Sequence, residues 1–179
     1  MLKIEDSCLV IVDVQGKLAT LMFSHESLFK NIQILIKACK IMSIPILWCQ
    51  QSPKALGTTV LEIANLLTDN QPINKQSFSC CGCEEFNSKL NQLNRSQVLL
   101  CGIEAHVCVY QTAVDLQKAG KEVHLITDAI SSRTESNKKL AVKRLRTEGV
   151  KLSSTEMAIF ELMKIADYPY FKQVAMLVK

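Results

Sequence analysis

The chain has little of what keeps a polypeptide loose: 6 glycines and 4 prolines in 179 residues, with aromatics at 6% and a single tryptophan. Collagen-like and low-complexity structure need far more glycine and proline than this and are excluded. Long hydrophobic runs are missing too. The longest, such as Leu9 to Val12, are a few residues against the ~20 needed to cross a bilayer. No membrane partner is expected. Charge of one sign is also lacking, since 21 Lys and Arg face 17 Asp and Glu for a net charge of +4. That balance and a pI of about 8.6 fall short of the basic stripe and pI above about 9 of a nucleic-acid binder. No nucleic-acid partner is expected either. Neither G-x-G-x-x-G after the first strand nor G-x-x-x-x-G-K-[ST] occurs, which removes dinucleotide and nucleoside-triphosphate enzymes. Met1-Leu2-Lys3-Ile4-Glu5-Asp6 shows no basic segment leading into a long apolar one, so a cytoplasmic protein is expected.

What is present is enough for a core. The chain is 48% hydrophobic and 21% charged, with a mean hydropathy of +0.14. A chain of this length forms one domain, residues 1–179, and buries roughly 70% of its unfolded surface. Eight cysteines would suit a disulfide framework in a secreted protein. Here Cys8, Cys39, Cys49 and Cys101 lie inside apolar runs, where a free thiol packs as a small hydrophobe. Cys80-Cys81-Gly82-Cys83 gathers three thiols with no second Cys/His pair at zinc-finger spacing, and reads as an exposed loop cluster. The densest basic stretch puts Lys139, Lys143 and Arg146 at i, i+4, i+7, one solvated helix face.

Short apolar runs alternate with helical stripes. Cys8 to Val12, Ile46 to Cys49, Val98 to Ile103 and Val123 to Thr127 read as strands buried on both faces. A weak extended segment covers Ile73 to Phe78, and Val150 to Leu152 makes a last short strand. Leu28, Ile32, Leu35, Ile36 and Cys39 form a helical stripe; Thr59 with Glu62 and Ser153 with Glu156 have capping-box spacing. The alternation predicts a parallel sheet covered by helices, with its ligand crevice beyond the carboxyl ends of the strands.

The strand ends carry the chemistry. Asp13 follows the first strand, either as a desolvated, tunable carboxylate or as a structural acceptor. Cys108 opens the helix after the strand ending at Ile103, where the positive end of the dipole favours thiolate. His106 could serve it as a base, and Asp128, at another strand end, reads as structural. Lys75 by itself reads as an exposed lysine.

These residues resemble the isochorismatase-like cysteine hydrolases, and most of all the isochorismatase domain-containing subgroup. The resemblance rests on Val10-Ile11-Val12-Asp13-Val14-Gln15, Lys75, and Gly102-Ile103-Glu104-Ala105-His106-Val107-Cys108, with Leu56 to Glu62 and Asp128 to Arg133 in order between and after them. It implies a three-layer αβα sandwich with a six-stranded parallel sheet in order 3-2-1-4-5-6. It implies an Asp13–Lys75–Cys108 triad, with Asp13 as base, Lys75 holding the carboxylate and Cys108 attacking a carbonyl to give a thioester. A cis peptide maps to Ile103–Glu104, with the amides of Glu104 and Cys108 as an oxyanion hole. Gln15, Leu18, Gln51 and Phe78 map to the pocket, and a homo-oligomer is implied. The apolar Val174 to Val178 suits such an oligomer.

Three departures shape the expected function. Nicotinamidase-type relatives carry metal-binding histidines after the second strand, where this chain has Cys49-Gln50-Gln51-Ser52-Pro53; no metal or other cofactor is expected. Isochorismate-cleaving members lack the cysteine, so Cys108 points to an acyl compound. Gln50 replaces a usual Glu and Leu18 a usual Phe near the pocket, which unties the substrate from that of relatives. The expected function is metal-independent hydrolysis of a small carboxamide-like substrate. The alternatives are a non-catalytic binding or scaffold protein of the same fold and a vinyl-ether hydrolase.

Overall fold

The computed structural model describes residues 1–179. In chain order the elements are β1 (Ser7–Val12), α1 (Gly16–Thr20), α2 (His25–Ile41), β2 (Ile46–Gln51), α3 (Pro53–Leu56), α4 (Leu61–Ala64), β3 (Ile73–Lys75), α5 (Glu84–Gln92) and β4 (Gln97–Gly102). They continue with α6 (Tyr110–Lys118), β5 (Glu122–Ile130), α7 (Glu135–Thr147), β6 (Lys151–Ser153), α8 (Thr155–Met163) and α9 (Phe171–Ala175). The strands form one six-stranded sheet in order β3-β2-β1-β4-β5-β6, parallel at every pairing. The strand order reverses between β1 and β4, which pair from Ser7↔Gln97 to Val12↔Gly102.

Alternation along each strand divides the core in two. Leu9 and Ile11 of β1, Trp48 of β2 and Leu99 of β4 pack with α2, α8 and Val174 on one face. Cys8, Val10, Val12, Leu47, Leu100 and Leu125 pack with Phe86 of α5, Ala113 of α6 and Leu145 of α7 on the other. Every residue of β1 is buried, as a strand covered on both faces requires. Each fully buried leucine or isoleucine contributes about 1.5–3 kcal/mol. No helix is long and apolar enough to cross a membrane.

Several local expectations need correcting. Thr59 does not cap α4: it pairs with Gln15 in an isolated bridge, and its hydroxyl accepts from Gln50 Nε2 at 2.8 Å. The helix therefore begins only after Val60. The α8 cap is Ser154, whose hydroxyl accepts from the Met157 amide; Ser153 is held in β6 opposite Ile126. Strand β5 runs through Asp128 to Ile130, and Asp128 is structural, accepting from the Thr155 amide and hydroxyl at 2.8 and 2.9 Å. Cys80 to Cys83 is not an exposed loop. Cys80 is fully buried in a short 3₁₀ turn docked on α6 through its amide and Thr112 Oγ1. Val174 is likewise buried against the chain's own core, although Met176 remains exposed.

Candidate active site

The ends of β1 and β4 meet at the reversal of strand order, where an open α/β sheet offers its ligand crevice, and the end of β3 reaches it from the sheet edge. At the end of β1, Asp13 takes a left-handed conformation (φ 53°) while its amide donates to Cys49 O. The turn aims its carboxylate inward, leaving the residue 4% exposed. At the end of β4, Gly102 has φ 118°. A Cβ there would collide with the Val12 carbonyl, so glycine lets β4 lie against β1. The Ile103–Glu104 peptide that follows is cis. A π-helical turn, Ala105–Val109, then leads directly into α6 and carries Cys108; such turns often hold functional groups. Lys75 ends β3 and is buried, not exposed as it would read alone.

The structure brings Asp13, Lys75 and Cys108 together. Lys75 Nζ donates to Asp13 Oδ2 at 2.7 Å, Gln51 Oε1 at 2.9 Å, Ser77 O at 3.0 Å and Phe78 O at 2.9 Å. Burial alone would lower the Lys75 pKa, but Asp13 above all its other neighbours raises it, so the amine stays an ammonium. Asp13 Oδ1 is buried without a partner of ordinary hydrogen-bond geometry. The Cys108 thiol lies close enough to the Asp13 carboxyl to influence the titration of both groups. Burial pushes the Asp13 carboxyl above its usual range, against the pull of Lys75 and Cys108. Burial first, then the Asp13 charge, push the Cys108 thiol up to about 12, with Lys75 opposing. Burial and the Asp13 charge thus oppose the thiolate that the helix dipole favours.

Around Cys108 lies a cleft of about 110 Å³. Its polar lining is Asp13, Gln15, Gln51, Glu104 and Cys108; its apolar lining is Leu18, Leu56, Phe78, Ile103 and Val107. All four residues mapped to the pocket, Gln15, Leu18, Gln51 and Phe78, are there. Leu56 and Val107, which the sequence names only within motifs, line it as well. Gln50 points instead to Thr59, so the Gln50 replacement does not alter the lining. Gln15 donates to Gly57 O at 2.6 Å and Gln51 O at 3.1 Å and accepts from the Gln51 amide, which fixes the wall beside Lys75. His106 contacts Ser132 Oγ through Nδ1 at 2.9 Å and does not line the cleft. Glu104 Oε2 accepts from the Arg133 amide and Nε at 3.0 and 3.2 Å. No three His, Cys, Asp or Glu side chains converge as a metal site. A larger groove of about 370 Å³ runs along α7, lined by Lys138, Lys139, Lys143 and Arg146 with Phe23 and Leu152. We place the site in the smaller cleft, because only there do a nucleophile, a carboxylate and a buried cation converge.

A doubly wound parallel sheet with such a cluster at the carboxyl ends of its strands defines the class: an α/β domain with a candidate site in its strand-end cleft. The sequence matches the isochorismatase domain over residues 7–157, and the chain belongs to that family of hydrolases. Isochorismatase domain-containing protein 2 of Danio rerio is 38% identical over 174 residues, covering 97% of this chain and 87% of that protein. The solved structure of MAR1 ribonuclease from Caenorhabditis elegans superimposes with a TM-score of 0.93 at 36% identity, over 99% of this chain and 91% of the other. The YcaC gene product of Escherichia coli, an octameric hydrolase of unknown specificity, shares the fold (TM-score 0.92, 21% identity, 98% and 88% covered).

Proposed function

We propose that the protein is a metal-independent cysteine hydrolase that cleaves the C–N bond of a small carboxamide-like substrate through a thioester. One observation carries this reading: the two oxygens of Asp13 are divided between tasks. Oδ2 is held by Lys75 at 2.7 Å, while Oδ1 is buried and unpaired, and the Cys108 thiol lies close enough for the two groups to influence each other's titration. A carboxylate so placed can take the thiol proton as sulfur attacks, and its raised pKa makes it a stronger base than an ordinary aspartate. Lys75 keeps that carboxylate oriented and charged until the proton arrives.

The steps balance without a cofactor. The Cys108 sulfur bonds to the carbonyl carbon and its proton passes to Asp13. The Glu104 amide, which donates to no other backbone group, and the Cys108 amide stabilise the oxyanion. Collapse breaks the C–N bond, and Asp13 returns the proton to the departing nitrogen. Water, deprotonated by Asp13, then adds to the thioester carbonyl; collapse breaks the C–S bond and Asp13 returns the proton to the Cys108 sulfur, so an amide and water give a carboxylic acid and ammonia or an amine. Ammonia release across a panel of small neutral amides, abolished in Cys108→Ala and unaffected by a chelator, is the expected result. Release that persists in Cys108→Ala would remove the nucleophile from the account.

A second reading, RNA hydrolysis, is favoured by the basic groove along α7 and by the name carried by the C. elegans neighbour. Cleavage of single-stranded RNA that is lost in Lys143→Glu and Arg146→Glu would establish it over amide hydrolysis. Self-association is proposed from the fold shared with octameric YcaC. Light scattering should report a multiple of the 20.0 kDa chain.

A further inference from the structure

Resting on that reading, we infer that the cleft selects an uncharged amide with a compact apolar acyl group and turns away acyl groups that bear a carboxylate. Four charged side chains line the Cys108 cleft or pair with a residue that does: Asp13, Lys75, Glu104 and Arg133. Asp13 and Glu104 line the cleft. The two cations do not. Lys75 stands behind Asp13 with all its donors engaged by Asp13, Gln51 and the carbonyls of Ser77 and Phe78. Arg133 is tied to Glu104, and its side chain is 59% exposed. A carboxylate entering the cleft therefore leaves water, finds no cation among the lining residues and approaches the Asp13 charge. Burying an anion without a partner is strongly unfavourable, whereas a neutral amide escapes that cost.

The rest of the lining agrees with this charge pattern. Leu18, Leu56, Phe78, Ile103 and Val107 present carbon to the space. The Gln15 and Gln51 amides, which could have recognised a polar acyl tail, are engaged with backbone and with Lys75. A volume of about 110 Å³ limits the acyl group to a few heavy atoms. Selection here works by exclusion: the site is built so that a charged competitor is penalised. It also weighs against a dicarboxylate such as isochorismate and against a phosphodiester, neither of which would find a counter-charge beside Cys108.

Iodoacetamide and iodoacetate, which differ only in an amide against a carboxylate, test this without requiring turnover. Second-order rates of Cys108 alkylation by each are measured on the folded protein, by peptide mass, and on the same thiol in the urea-unfolded chain. The iodoacetamide-to-iodoacetate ratio should be at least about tenfold higher in the folded protein, the size expected of an unpaired charge kept out of a partly buried site. Leu56→Lys, at a rim position 39% exposed and tolerant of a charge, should bring the ratio back toward the unfolded value. An unchanged or inverted ratio in the wild type would overturn the inference, as would a Leu56→Lys ratio equal to the wild type's. The outcome is separable from the hydrolase reading. A raised ratio with no ammonia release from any amide would sink hydrolysis and leave the neutral cleft standing; a flat ratio with ammonia release would do the reverse.

Discussion

Lys75 Nζ sits 2.7 Å from Asp13 Oδ2, with the two side chains 0% and 5% exposed. The contact joins the ends of β3 and β1, strands separated in the sheet by β2, and leaves the second carboxylate oxygen unpaired. Its energetic weight lies less in the pair's net stability than in the cost of orphaning either member. Pairing repays desolvation only when the remaining donors and acceptors are satisfied. Gln51 and two backbone carbonyls do this for Lys75.

Lys75→Met should therefore cost about 3–5 kcal/mol, the range for leaving one member of a buried pair uncompensated. The double variant Asp13→Asn/Lys75→Met should recover part of that loss, because it removes the stranded charge. Urea midpoints of the two single variants and the double check this. A double variant no more stable than Lys75→Met would mean that the pair does not carry the coupling.

Asp13→Asn should separate thiol acidity from hydrolysis. Burial and the Asp13 charge together hold the Cys108 thiol at about 12. Asparagine removes the charge while Lys75 remains to lower the pKa, so the pH profile of iodoacetamide labelling should move to lower pH. Labelling near neutrality then speeds up while amide hydrolysis is lost with the base. Slower labelling in Asp13→Asn would contradict this placement of the carboxylate.

Gly102→Ala should destabilise the fold by about 3 kcal/mol or more, combining a positive-φ penalty with overpacking. Its φ is 118°, and an added Cβ would overlap the Val12 carbonyl and amide. Gly120 provides the contrast: φ is 80°, with nothing within 4 Å of a Cβ. Gly120→Ala should cost only about 1 kcal/mol, the conformational part alone. Equal losses in thermal or urea denaturation would show that the β1–β4 approach is not the reason for Gly102.

The contrast between Asp13 and Lys75 shows what was legible in the residues. Asp13 and Cys108 stand just beyond strongly apolar strands, and the rule for parallel sheets turns strand ends into site candidates. Lys75 ends a strand of three residues, Ile73–Lys75, too short for a periodic signal. Its burial depends on partners that are distant in sequence, so only the family resemblance singled it out. Leu56 and Val107 escaped for a similar reason, because a side chain's direction into a cleft depends on how loops fold over the sheet edge. The sheet order, by contrast, accords with the family resemblance, and β1, β2 and β4 each carry an apolar run of four residues or more. The Ser153 cap failed by one residue because pairing with β5 took precedence over local capping. The thiolate expectation left out burial, which raises the Cys108 pKa against the helix dipole.

The central claim is that Cys108 carries the acyl group of a small amide, and an acid-quenched reaction read by intact mass and peptide mapping tests it most directly. A compact neutral amide should add the mass of its acyl group to the peptide containing Cys108, in step with ammonia release. The adduct should be absent from Cys108→Ala and should disappear as water hydrolyses the thioester. Ammonia release at the wild-type rate with no acyl mass on Cys108, or an adduct on Cys81 or Cys83 instead, would contradict the account.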